Sequence, residues 1–186
     1  MRAFQIKKTQ RKMIEKIKNI AHYHIGNIIY GANDGIVTTF AVVAGASGAN
    51  LSSSIIIILG IANLAADGFS MGSSRYISLK SEHDSQTHQG FGKGVRSPLG
   101  DGLATFFSFG IFGFIPLIPF VFWSGSDNLF LISSLGTAAA FFVMGSLRRL
   151  IIPKNFIMLG LETLLVGGIA SVISYGLGYF ISVIIL

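Results

Sequence analysis

Five stretches of this chain are apolar over about twenty residues or more, and no other feature narrows the possible folds so far. They run from about Ile25 to Ala46, Ser54 to Leu79, Leu103 to Trp123, Leu129 to Leu147 and Phe156 to Leu186. A helix of ~20 apolar residues crosses the ~30 Å hydrocarbon core of a bilayer. Inside that core every backbone N–H and C=O must find its partner within the protein, which favours helices. The expectation is an all-α polytopic membrane protein with five transmembrane helices. Its 186 residues are 51% hydrophobic and only 12% charged, whereas a soluble domain carries roughly a quarter charged residues. The second and fifth stretches exceed what a bilayer needs, so they should tilt or project. Two units follow: residues 1–24 as a cytoplasmic amphipathic N-terminal helix, and residues 25–186 as the transmembrane domain.

The fourteen Lys and Arg residues then sort to one side. Arg2, Lys7, Lys8, Arg11, Lys12, Lys16 and Lys18 precede the first span. Arg75, Lys80, Lys93 and Arg96 lie at or after the end of the second, and Arg148, Arg149 and Lys154 lie between the fourth and fifth. The turns Ser47 to Ser53 and Ser124 to Asn128 carry none. Basic residues mark the cytoplasmic side of short loops, so the N-terminus is expected inside and the C-terminus outside. The net charge of +6 is thus a topology signal with headgroup anchoring, and no nucleic-acid partner is expected. Phe4, Ile6, Met13, Ile14, Ile17 and Ile20, set among lysines, suit a helix lying on an anionic leaflet. That N-terminus is too polar for a cleavable signal peptide. The absence of cysteine excludes disulfides and thiolate metal sites.

Three further features bear on the bundle. Ser81 to Ser97 is the one sizeable polar connection, expected as a flexible cytoplasmic loop in which Glu82, His83, Asp84 and His88 could hold a metal only weakly. Pro116 and Pro119 should kink the third span. Gly31 and Gly35, and likewise Ala170, Ser174 and Gly178, are spaced four apart, which lets helix backbones approach closely and suits a packed bundle or a dimer.

Two carboxylates fall inside the spans. Asp34 lies mid-way along the first and Asp67 in the second. An Asp at a helix centre in lipid costs ~2.5–3.5 kcal/mol, so both should face the bundle interior or a wet path. Helical spacing groups Tyr30, Asp34 and Thr38 on one stripe, and Asn63, Asp67, Met71 and Arg75 on another. Oxygen ligands alone suit Mg²⁺ or Ca²⁺, whereas the Met71 thioether tilts the set toward a softer divalent ion, with Fe²⁺ fitting and Mn²⁺ or Co²⁺ open. Protons and a metal ion compete for the same carboxylate oxygens, which is the simplest basis for antiport. Bland readings stand beside these. Asp34 could pair with Arg148 or Arg149, Asp67 could bond an amide or hydroxyl, and Met71 could be core filler. Glu162 either lines the entrance or pairs with Lys154 or Arg149. Asp101 is expected at the interface and exposed.

The run Asn33-Asp34-Gly35 with Thr38, the segment from Gly60 through Asn63 and Asp67 to Met71, Tyr76-Ile77-Ser78, the third span to Pro119, and Glu162 to Ser171 together resemble the vacuolar iron transporter family. The resemblance covers roughly Gly31 to Gly178. It implies a five-helix protomer that dimerises, an ion path between the two first helices lined by the second, and Fe²⁺/H⁺ antiport out of the cytosol. By resemblance Asp34 and Met71 match the family's path-lining Asp and Met. Two departures accompany it. Plant and fungal-type members often insert a Glu-rich helical metal-binding domain between the second and third spans, where this chain has Ser81 to Ser97. Many members also carry a Glu where this chain has Arg75, a cation that opposes incoming cations unless it snorkels to the headgroups or pairs with Glu82 or Glu162.

The resulting expectation is a transporter, not an enzyme. It exports a divalent transition metal, Fe²⁺ first and Mn²⁺ second, in exchange for protons, as a homodimer in the bilayer. Its metal contacts would be Asp34, Met71 and Asp67, then Thr38, Asn63 and Glu162, with no resident cofactor. The alternative is a non-transporting membrane scaffold or accessory subunit that kept the bundle and lost metal loading. The sequence fits a bacterial inner, plasma or vacuolar membrane alike.

Overall fold

The computed structural model describes the backbone of residues 2–88, 97–123, 126 and 128–185, and their side chains from Ile25 onward except those of residues 87 and 88. Helix α1 spans Arg2–Gly48, α2 Ser53–His88, α3 Pro98–Gly113, α4 Ile118–Phe122, α5 Leu129–Leu147 and α6 Phe156–Ile185. Short 3₁₀ turns at Ile115–Leu117 and Arg148–Leu150 follow α3 and α5. Among the described residues five stretches are long and apolar enough to cross a membrane: Ile25–Gly48, Ser53–Gln86, Pro98–Phe122, Leu129–Leu150 and Phe156–Ile185. These are the five stretches expected from sequence.

The N-terminal segment is helical and runs into the first span with no non-helical residue between them. Its apolar and basic side chains lie outside the described residues. The second span corrects an expectation, because residues 81–88 continue α2 as helix where a flexible loop was expected. Gln86 donates to Glu82 one turn back at 3.3 Å, the kind of i,i+4 pair that extends a helix into water. The rest of that connection, residues 89–96, lies outside the described residues.

Helix ends follow local chemistry. After Gly48, Leu51 N–H donates to Ala46 C=O and Asn50 N–H to Ser47 C=O, both at 3.0 Å, with Asn50 at φ 57°. This is a Schellman cap, and Asn tolerates the left-handed conformation that it needs. At the start of α3, Ser97 Oγ accepts from Gly100 N–H at 3.2 Å and Pro98 takes the first helical position. Asn155 Oδ1 accepts from Ile157 N–H at 3.0 Å to open α6. At the prolines, where a kink was expected, the third span has a short break in its α-helix while Phe114, Leu117 and Ile118 keep right-handed helical dihedrals. α3 stops at Gly113, and α4 resumes after the 3₁₀ turn that contains Pro116. Ser133 of α5 donates to the Pro116 carbonyl at 2.7 Å, so a carbonyl freed by the break is satisfied from a neighbouring helix.

Among the described residues α1 is the hub. It touches α3, α6, α2 and α5, while α2 packs with α3 on one side and α5 with α6 on the other. Ile36, Val43, Phe109, Leu117 and Phe141 are the fully buried apolar centre. Phe40 stacks on Phe130 at 6.3 Å and meets Phe141 edge-on at 6.5 Å. Small residues set the helix spacings as the sequence suggested. Ser174 donates to the Ala41 carbonyl at 2.5 Å, and Gly178 lies against the Gly45 backbone, which seats α6 on α1.

Candidate functional site

The two intramembrane carboxylates owe their positions to the glycines that follow them. A Cβ on Gly35 would strike the Phe109 carbonyl, and one on Gly31 would lie 2.8 Å from the Thr105 carbonyl. On α2, a Cβ on Gly68 would meet the Phe109 ring at 3.3 Å, and one on Gly72 would reach the Gly102 carbonyl at 2.9 Å. Helix α3 therefore wedges its backbone against glycine stripes on both α1 and α2. Gly35 backs onto the Phe109 backbone and Gly68 onto the Phe109 ring, so both pack against the same residue of α3. Asp34 and Asp67 are each one residue earlier, hence about 100° round their helices. The tight turn at residues 49–52 makes α1 and α2 antiparallel neighbours, so the two rotations have opposite hand and carry both side chains toward the same groove. The charges of Asp34 and Asp67 are close enough to repel each other.

Each stripe continues by turns of helix. Tyr30 stands one turn below Asp34 and Thr38 one turn above it, while antiparallel α2 places Met71 one turn below Asp67 and Asn63 one turn above. Asp34, Thr38, Asn63, Asp67 and Met71 are all half-buried, and Tyr30 is 65% exposed. The groove is thus open along the flank of the protomer. Thr38 spends its hydroxyl proton on the Asp34 backbone carbonyl at 2.9 Å, which leaves its oxygen lone pairs available. Met71 packs against the apolar core. Nδ2 of Asn63 and Oδ1 of Asn33, beside Asp34, are buried with no hydrogen-bond partner among the described residues. The groove offers carboxylate, amide, hydroxyl and thioether donors, a mixture that suits a divalent transition ion. Among the described residues no three His, Asp or Glu side chains cluster.

The other acidic residues differ from expectation. Glu162 pairs with Arg148 at 3.3 Å and is 56% exposed, where Lys154 or Arg149 was the expected partner. Arg148 also donates to Oγ1 of Thr163, the residue next to Glu162 on α6, at 3.4 Å, which draws it across. Arg148 is thereby engaged away from Asp34. Asp101, expected at the surface, is 0% exposed and engaged. The close approach of Gly102 to Gly72 presses the first turn of α3 against α2 and covers it. Arg75 is half-buried and likewise engaged. Gly68 and Gly72 repeat the spacing of four of Gly31 and Gly35, yet helix packing was expected from Gly31 and Gly35 and not from this second pair, and Asn33 entered only through the family resemblance.

The VIT family model matches this chain over residues 25–90 and 88–179, two pieces that meet at the connection between α2 and α3. Over 237 residues the chain is 23% identical to a vacuolar iron transporter of Toxoplasma gondii, covering 92% of this chain and 78% of that protein. It is 27% identical over 210 residues to a vacuolar iron transporter of Centaurea cyanus, covering 82% of this chain and 86% of the other. A shorter segment of 60 residues, 32% of this chain and 24% of the relative, is 50% identical to vacuolar iron transporter 1 of Arabidopsis thaliana. The two longer alignments exceed the 186 residues of this chain, so those relatives carry residues that it lacks. With five membrane-spanning helices and a family match that includes both carboxylate-bearing helices, this multi-pass integral membrane protein belongs to the VIT family.

Proposed function

We propose that this protein carries a divalent transition metal, Fe²⁺ first and Mn²⁺ second, out of the cytosol in exchange for protons. One observation carries the reading: Asp34 and Asp67 each precede a glycine packed on Phe109 and lie within electrostatic reach of each other, with a thioether one turn from Asp67. Two carboxylates that repel each other bind a divalent cation well, and in its absence protons satisfy them. The relatives' names as vacuolar iron transporters support iron as the substrate. The basic residues flanking the even-numbered connections support a cytoplasmic N-terminus.

The active form is a homodimer. Facing lipid, each half-exposed Asp would cost on the order of 2.5–3.5 kcal/mol. A second copy laid over the α1–α2 flank removes that cost, doubles the donor set and makes the groove a path. Asp34 and Asp67 are then the primary ligands, Met71 selects the softer ion, and Thr38 and Asn63 supply outer oxygens. Glu162, held by Arg148 near the cytoplasmic start of α6, stands at the entrance.

Proteoliposomes loaded with a metal-sensitive dye test this directly. Fe²⁺, Mn²⁺, Co²⁺ and Zn²⁺ are added in turn with and without a pH gradient. Fe²⁺ and Mn²⁺ signals should rise with the gradient and vanish in Asp34→Asn. Undiminished flux in that variant removes Asp34 from the mechanism, and silence for every ion in the wild type favours the non-transporting scaffold.

A further inference from the structure

The turn between α5 and α6 holds a second polar feature, far from the carboxylate groove in sequence and chemistry. Arg149, Pro153, Lys154, Asn155 and Phe156 line an open cleft of about 640 Å³. Its depth is fixed from both sides. One span ends at Leu150 and the next begins at Phe156, and Ile151 Cδ1 lies 3.7 Å from the Cβ position of Gly26, one residue into the first span. The cleft therefore sits at headgroup level, in the leaflet that faces the N-terminal segment.

Its charges are arranged for an anion. The neighbouring Arg148 is paired with Glu162, whereas neither Arg149 nor Lys154 has a carboxylate partner among the described residues. The Arg149 guanidinium stands 5.9 Å from the centre of the Phe156 ring, which orients it over the cleft by a cation–π contact. Lys154 follows Pro153 in a tight turn closed by its own N–H on the Ile152 carbonyl at 2.8 Å. Asn155 is occupied in capping Ile157, so the two cations, backed by the positive end of the thirty-residue α6, are the groups facing an incoming ligand. Leu150, next to Arg149, and Ile157 and Met158, just after Phe156, are exposed apolar side chains that can run alongside acyl chains.

We propose that this cleft is a saturable site for the phosphate of an anionic phospholipid, gripped by Arg149 and Lys154. A free phosphate would satisfy the cations but leave the apolar wall unused, and a zwitterionic headgroup would bring its own cation against them.

The test is native mass spectrometry of the full chain in detergent, titrated with phosphatidylglycerol, with phosphatidylcholine and with inorganic phosphate. Arg149 and Lys154 are exposed, so R149Q/K154Q should fold, and its unfolding midpoint without added lipid should match the wild type. The wild type should saturate with one phosphatidylglycerol per protomer and bind it well above phosphatidylcholine. The double variant should lose on the order of thirty-fold in that affinity, from the contribution of two basic groups near a charged surface. K80Q, a cation resting 5.9 Å over the Tyr76 ring outside the cleft, should bind as the wild type does. Equal phosphatidylglycerol binding by R149Q/K154Q overturns the proposal, as does displacement of the lipid by millimolar inorganic phosphate.

Discussion

Replacing Gly35 with Ala tests whether α3 is the wedge that sets the carboxylate site. The added methyl would meet the Phe109 carbonyl oxygen, with the Phe109 carbonyl carbon at 3.0 Å and Cα at 3.1 Å. All three atoms are backbone, so no side chain can swing aside. To restore ordinary contact, α1 and α3 must part by roughly half to one ångström. Overpacking of this kind costs about 1–3 kcal/mol, and Ala returns up to about 1 kcal/mol over Gly through helix propensity. The net is a loss of up to about 2 kcal/mol. Gly136 on α5 supplies the control, since a Cβ there meets nothing within 4 Å, and Gly136→Ala should be neutral or gain up to about 1 kcal/mol. Both variants are compared by thermal unfolding in the same detergent. The parting also carries Asp34 away from Asp67, so metal flux through Gly35→Ala should fall by about ten-fold or more. If Gly35→Ala unfolds at the same midpoint as Gly136→Ala, α3 is not seated on α1 as described, and the derivation of the site fails with it.

Three other outcomes follow from single side chains. Met71→Leu keeps the apolar volume and should cost less than about 1.5 kcal/mol, yet it removes the sulfur, so Fe²⁺ flux should drop while the unfolding midpoint holds; unchanged flux would make Met71 core filler. Ser133→Ala strips the Pro116 carbonyl of its 2.7 Å partner in a buried position and should cost about 1–3 kcal/mol, read as a lower unfolding midpoint, and an unmoved midpoint would mean the break needs no such support. Glu162→Gln breaks a pair whose carboxylate is 56% exposed, so stability should change by less than about 1 kcal/mol; a large loss of initial flux in that variant would place Glu162 at the metal's entrance.

Much of the bundle could be read from the chain because the bilayer leaves so few solutions. Five apolar stretches of spanning length, with basic residues bordering only some connections, lead to five helices. The same solvent makes Asp34 and Asp67 conspicuous, since each is costly in hydrocarbon unless the fold gives it a purpose. The glycine spacings of α1 and α6 likewise forecast close helix contacts, which Gly31, Gly35, Ser174 and Gly178 make. The helical continuation of α2 to His88 was not legible, because a polar segment reads equally as loop or as solvated helix. Nor was the choice of Arg148 by Glu162, since three basic residues lay within reach along the sequence.

By itself, then, the sequence determined the number of spans and which polar and acidic residues fall within them. Periodicity along a helix shows which residues share a face, and hydropathy shows what that face cannot tolerate. Only the tertiary structure decided where those faces point. The way the helices that carry Asp34 and Asp67 are seated depends on Phe109, a residue of a third helix, which packs against Gly35 of one and Gly68 of the other. The burial of Asp101 depends in the same way on the contact between Gly102 and Gly72. Such depth and rotation are set by backbone-to-backbone contacts between segments far apart in the chain, and no local pattern encodes which glycine will find which carbonyl.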